Sequence, residues 1–235
     1  MNQSESKEIR TISLLRAAGY GLLMLAFFDF SQILVPPRFT NPTWEFQMMG
    51  SLVERVPVPL IGLVLVFYGD LSYRRKLETT ILKLFSWVSL ALGVLFLLLI
   101  PLGVNNTWRL YNRNNAQINY QSSQQLSQIQ QFKGRLAQAT TEEDMNQLFA
   151  ALNPQERSPE IKNTEDFKKK LLAEIGKAEK IVTTQNKTTR QNMRLSLIKS
   201  SLKWNLGALV SATLFVWIWH ATRWARRKRS KSIHN

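Results

Sequence analysis

Residues 84–104, LFSWVSLALGVLFLLLIPLGV, carry no Asp, Glu, Lys, Arg or His. About 20 consecutive apolar residues are what an α-helix needs to cross a hydrocarbon core roughly 30 Å thick. A stretch this long and this apolar has no place in a small water-soluble core, so it predicts a transmembrane helix, with Pro101 near one end. Three further blocks follow the same logic. Residues 17–35 form a span containing one acid, Asp29, and residues 56–71 form a shorter one whose apolar surface Leu52 and Val53 extend. Residues 204–221 form the fourth span around a short apolar run, 206–221, with Lys203 and Trp204 at one end and Trp217, Trp219 and Trp224 toward the other supplying snorkelling and aromatic-belt anchors. The first block has a charged leader but is followed by Pro36 and Pro37 rather than a small-residue cleavage site, so it is expected to stay in the chain.

A formal charge of +15 would suggest nucleic acid for a soluble protein. Here the Lys and Arg gather at the ends of the apolar blocks, where topology explains them and nucleic acid is not an expected partner. Lys7, Arg10 and Arg16 precede the first span, and Arg74, Arg75 and Lys76 lie between the second and third. Arg223, Arg226, Arg227, Lys228, Arg229 and Lys231 follow the fourth. All three groups belong on the cytoplasmic side. Residues 1–16, 72–83 and 222–235 are then cytoplasmic, and residues 36–55 and 105–203 lie outside. The last segment has 16 basic and nine acidic residues, a surplus of seven, which long external domains tolerate. The final basic run suits anionic lipid headgroups as well as topogenesis.

Within residues 105–203 the composition turns to Gln, Asn, Lys and Thr, yet a helical pattern persists. Tyr111, Ile118, Ile129, Phe132 and Leu136 fall on a seven-residue frame whose other slots hold Asn115, Ser122 and Gln125. Thr164 before Glu165 and Asp166 is a helix start, and Phe167, Leu171, Ile175, Ala178 and Val182 form one stripe. Between them Thr141, with Glu142, Glu143 and Asp144, caps a short helix carrying Met145, Leu148, Phe149 and Leu152, which ends before Asn153-Pro154. The prediction is an antiparallel, coiled-coil-like hairpin with arms at 105–138 and 164–203, each about 45 to 60 Å long at 1.5 Å per residue. The fold class expected is therefore all-α and integral to the membrane, with four transmembrane helices and an extramembrane hairpin between the third and fourth.

Residues 36–59, PPRFTNPTWEFQMMGSLVERVPVP, are the densest in unusual residues. Asn41 as cap, Pro42 at the first helical position and Glu45 in the first turn start a helix. Trp44, Met48, Met49, Leu52 and Val53 share one face, predicting an amphipathic helix lying at the outer membrane interface. Arg38, Asn41, Pro42, Trp44, Glu45, Glu54 and Arg55 are the candidate partner-binding residues, since Trp and Arg beside an apolar helix are typical interface anchors. Membrane anchoring is the plainer reading, and recognition of an anionic glycan or headgroup a third. Asp29 is an intramembrane acid, which either snorkels to the interface or bonds to a neighbouring helix. Asp70 closes the second span beside Tyr73 and Arg74, as an interfacial ion pair.

Chemistry is harder to place. The histidines are His220 and His234 alone and there is no cysteine, so no metal-ligand cluster, cofactor or Ser-His-Asp arrangement is expected. Neither a G-x-x-x-x-G-K-[ST] nor a G-x-G-x-x-G motif occurs. No nucleophile stands beside a base, and the chain is read as a non-enzyme.

The run NPTWEFQMMGSLVERVPVPLIGLVLVFYG, from Asn41 to Gly69, resembles the signature of the cyanobacterial HpsJ-like membrane proteins. By that resemblance Asn41, Pro42, Trp44, Glu45, Glu54, Arg55, Pro57 and Pro59 are family-defining. The family is named for hormogonium polysaccharide secretion, a process linked to gliding, and relatives also occur in cyanobacteria that make no hormogonia. No catalytic role is implied. The resemblance implies a plasma or thylakoid membrane, with the hairpin in periplasm or lumen. The leading expectation is an accessory or scaffold protein whose partners are membrane lipids and other membrane or envelope proteins, a second copy of the chain among them. An assembly factor of a thylakoid complex is the alternative. A sensor would need a separate signalling partner, and a glycan-transfer enzyme would rest on Arg38, Glu45, Glu54 and Arg55 alone.

Overall fold

A computed structural model describes residues 3–69, 76–152 and 164–226. Among the described residues every regular element is a helix. The helices are α1 (Gln3–Leu34), α2 (Pro42–Arg55), α3 (Pro57–Phe67), α4 (Lys76–Gln138), α5 (Glu142–Leu152), α6 (Thr164–Ala221) and the short α7 (Arg223–Arg226). Four stretches are long and apolar enough to cross a membrane: Arg10–Leu34, Pro42–Phe67, and parts of α4 and α6. Asp70, Tyr73, Arg74, Arg75, Pro154, Arg227, Lys228, Arg229, Lys231 and His234 lie outside the described residues.

The boundary between α2 and α3 follows from proline chemistry. Pro57 and Pro59 have no N–H to give to the carbonyls four residues earlier. Val53 O instead accepts from Val56 N at 3.4 Å, and Val56 O accepts from Leu60 N at 3.2 Å. Val56 itself stays in the right-handed helical region, so a single residue separates the two helices. Pro101 sits inside α4 without ending it.

The chain divides into two compact units, residues 1–110 with 197–235, and residues 111–196. The first has a core of Met48, Met49, Leu52, Val56, Leu63, Phe96, Leu99, Ala208, Ala212, Phe215 and Ile218. Its outward surface is apolar too: Phe27, Leu98 and Trp217 are each more than 60% exposed, as lipid-facing residues are. Without a hydrophobic drive between helices in lipid, association rests on close backbone approach and interhelical hydrogen bonds. Both are present. Gly19 of α1 meets Gly62 of α3 so closely that a Cβ on Gly19 would lie 2.9 Å from the Gly62 carbonyl oxygen. Between α4 and α6, the Ser89 hydroxyl donates to Phe215 O at 2.7 Å, and the Ser86 and Thr222 hydroxyls bond at 2.8 Å. Phe96 stacks on Phe215 with ring centroids 5.7 Å apart.

In the second unit, Leu136, Ala139, Met145, Phe149, Leu171 and Ile175 form a core. The Thr141 hydroxyl accepts from Asp144 N at 3.3 Å and donates to the Asp144 carboxylate at 2.5 Å, a reciprocal cap on α5. Lys133 pairs with Glu179, Asn119 with Arg190, and Asn186 with Ser122 at 2.7 Å. Advancing along α4 thus means retreating along α6.

Candidate docking surface around α2

Asn41 is extended and its side chain accepts from Thr43 N at 3.0 Å, so the peptide N–H groups of the first turn of α2 begin satisfied, with Pro42 filling a position that needs no donor. Glu45, one turn on, is 5% exposed. An acid so deeply placed needs a partner, and Arg109 of α4 supplies it at 3.4 Å. The same guanidinium donates to Asn106 Oδ1 at 3.2 Å and to Thr40 O at 3.5 Å. One arginine therefore ties the start of α2 to α4.

The apolar face of α2, which the sequence pattern turns toward a membrane interface, packs on protein. Met48, Met49 and Leu52 are buried by protein, with Trp44 and Val53 packed against them. Glycines explain how the helices come so near. Met49 projects over Gly103 of α4, where a Cβ would stand 2.5 Å from its sulfur. Val53 projects over Gly207 of α6, and the Trp204 ring of α6 lies over Gly50 of α2, each with 2.4 Å to an added Cβ. Trp204 also meets Phe46 edge-on at 4.5 Å and donates its indole N–H to Glu54 at 3.2 Å. Glu54 takes a second bond from Lys203 at 2.6 Å.

Asp29 of α1 stands 2.9 Å from Arg55 of α2, both 44% exposed. This pair links α1 to α2. The seven candidate residues thus divide. Asn41, Pro42, Trp44 and Glu45 are built into the helix start and its packing. Arg38, Glu54 and Arg55 remain exposed, and Phe39, which the sequence reading passed over, is 65% exposed with its edge against Trp44.

Arg109, Asn106 and the glycines at 50, 103 and 207 were also missed, and Trp204 was read only as an anchor at the end of the fourth span. An Arg just beyond a span, followed across the chain by a buried acid, was the available signal, but sequence alone gives no distance between them. At the other end, Arg226 lies 4.2 Å over the Trp219 ring and donates to Trp219 O at 2.8 Å. Burial among these groups, and then the nearby Arg223, push its pKa down. Arg223 is exposed. No group of three potential metal ligands occurs among the described residues.

A polytopic helical bundle with four helices long and apolar enough to cross a membrane, and with a glycine-seated helix pinned through the buried acid Glu45 to Arg109, defines a membrane-protein class. Within that class the chain belongs to the HpsJ-like protein family, whose model matches residues 10–223. No curated protein sequence and no solved structure matches it.

Proposed function

We propose that the protein is a non-enzymatic accessory or scaffold of the cell envelope, linked to polysaccharide secretion, that engages another membrane protein through the exposed rim of α2. The observation that carries this reading is the contrast within one helix start. Asn41, Pro42 and Glu45 are committed to holding the segment, whereas Phe39, Arg38 and Arg55 stay exposed beside it. Aromatic and arginine side chains held by a rigid scaffold are what interface hot spots use. Family membership supports the link to secretion.

The basic flanks support cytoplasmic termini, with residues 105–203 forming a helical hairpin in the periplasm or lumen. A reporter fused at Ala150 should then be active only outside the cytoplasm. The partner reading is tested by recovering native complexes from membranes bearing Phe39→Ala or Arg38→Ala at wild-type levels. Loss of polysaccharide-export components with retained insertion is expected. Unchanged recovery in both variants assigns the segment to anchoring. Residence in thylakoids alone replaces the secretion reading with that of a thylakoid assembly factor.

A further inference from the structure

The second unit contains a groove of about 420 Å³ between α4 and α6, in the size range of ligand clefts. The glutamines of α4 from Gln121 to Gln128 face Gln185, Asn186 and Thr189 of α6 across it, with Ile118 at one end. Apolar residues close the seam on either side: Ile118 is 5% exposed, and Leu136, Leu171 and Ile175 form the core beyond. Between those closures a helix pair stable for its own sake would carry Leu or Ile. From Ile118 to Ile129 the seam positions hold Ser122 and Gln125 instead, and the space beside them is left open.

The lining has a definite chemistry. Each carboxamide presents two donors and an acceptor in one plane, which suits neighbouring hydroxyl groups better than apolar or purely anionic ligands. No acid occurs from residue 105 to 141 or from 180 to 203. Arg113, Lys187, Arg190 and Arg194 are all exposed along these stretches of the unit, and Arg190 is held by Asn119. The formal charge carried by these two stretches is positive. Tyr120, 64% exposed, stands one turn before Gln124 on α4.

We propose that this amide-lined groove binds an acidic glycan chain: the glutamines, Asn186 and Thr189 read the hydroxyls, the surrounding arginines and lysine attract the carboxylates, and Tyr120 packs against a sugar face. The inference deepens the polysaccharide-linked reading and rests on it for where such a chain would be met, while binding by purified protein is independent of any membrane partner.

The test uses the full chain in lipid nanodiscs with fluorescent oligogalacturonate as probe, and with dextran and polyglutamate as neutral and anionic controls. Oligogalacturonate should bind with an affinity that falls as salt rises, and both controls should bind more weakly. Gln125→Leu/Gln185→Leu should lose roughly tenfold or more in affinity, the scale of one or two unmade hydrogen bonds, with helix content kept and thermal stability equal or higher because the leucines fill the seam. Tyr120→Ala, a surface change, should weaken binding several-fold and serves if the leucine variant fails to fold. Absence of oligogalacturonate binding overturns the proposal. So does equal binding of polyglutamate, or an affinity unchanged in both variants. Loss of partner recovery in the Phe39→Ala membranes with intact glycan binding, or the reverse, separates the two readings.

Discussion

Gly50→Ala sets two well-known effects against each other. Alanine is favoured over glycine inside a helix by about 0.8 to 1 kcal/mol, so at an open position the change stabilises. At Gly50 the added Cβ would stand 2.4 Å from Trp204 Cε2 and Cζ2 and 2.8 Å from Cδ2. Carbon atoms pack at about 3.5 to 4 Å, so the indole must retreat by about 1 Å. It has little room, because its ring lies against Phe46 and its N–H is bonded to Glu54. Overpacking of this kind costs about 1 to 3 kcal/mol, and displacement of the indole also loses a hydrogen bond worth about 0.5 to 1.5 kcal/mol. The net expectation is a loss of about 1 to 3 kcal/mol. Gly21→Ala, where nothing lies within 4 Å, should instead gain stability. Reversible unfolding in mixed detergent micelles measures both, and Trp204→Leu should recover part of the Gly50→Ala loss through non-additive coupling. A Gly50→Ala protein as stable as Gly21→Ala would refute the argument that α2 is seated on α6 through this glycine.

Leu171→Ala should cost about 2 to 4 kcal/mol of stability in the second unit, since Leu171 is 2% exposed in its core; faster proteolysis within residues 111–196 reports it. Glu45→Gln should destabilise more than Glu54→Gln in the same micelle assay. Glu45 is buried against Arg109, whereas Glu54 and Lys203 are 51% and 68% exposed, a pair worth at most about 1 kcal/mol. Asp144 is held below the ordinary carboxylate range by its bonds to Thr141. Its cap is therefore present at neutral pH and lost only as pH falls through that lowered value, because the unfolded chain takes up the proton first. Protection of the α5 amides, relative to unstructured exchange at the same pH, should fall on acidification in the wild type and be low at all pH values in Asp144→Ala.

The uncharged run at 84–104 and the three weaker apolar blocks are local signals, and four helices of membrane-crossing length and composition follow from them. Caps are local as well: Asn41 with Pro42 opens α2, and Thr141 with Asp144 opens α5. Such features depend on atoms within a turn of one another, and a linear pattern contains them. The apolar face of α2 was legible as a face but not as to what covers it, because lipid and protein offer the same apolar contact to Met48, Met49 and Leu52. Only the tertiary structure supplies Gly103, Gly207 and Trp204 as the cover, since a glycine reads as a seat only when the side chain that sits on it is known. The charges behave likewise. Asp29, Glu45, Glu54 and Arg55 stand out in sequence as polar residues near or in apolar segments, but their pairing with Arg55, Arg109, Lys203 and Asp29 respectively is a matter of distance between separate helices. Coulomb and hydrogen-bond energies fall within a few ångströms, so which of these residues hold the fold and which remain exposed was decided by packing, while the helices themselves were fixed by the chain's own pattern.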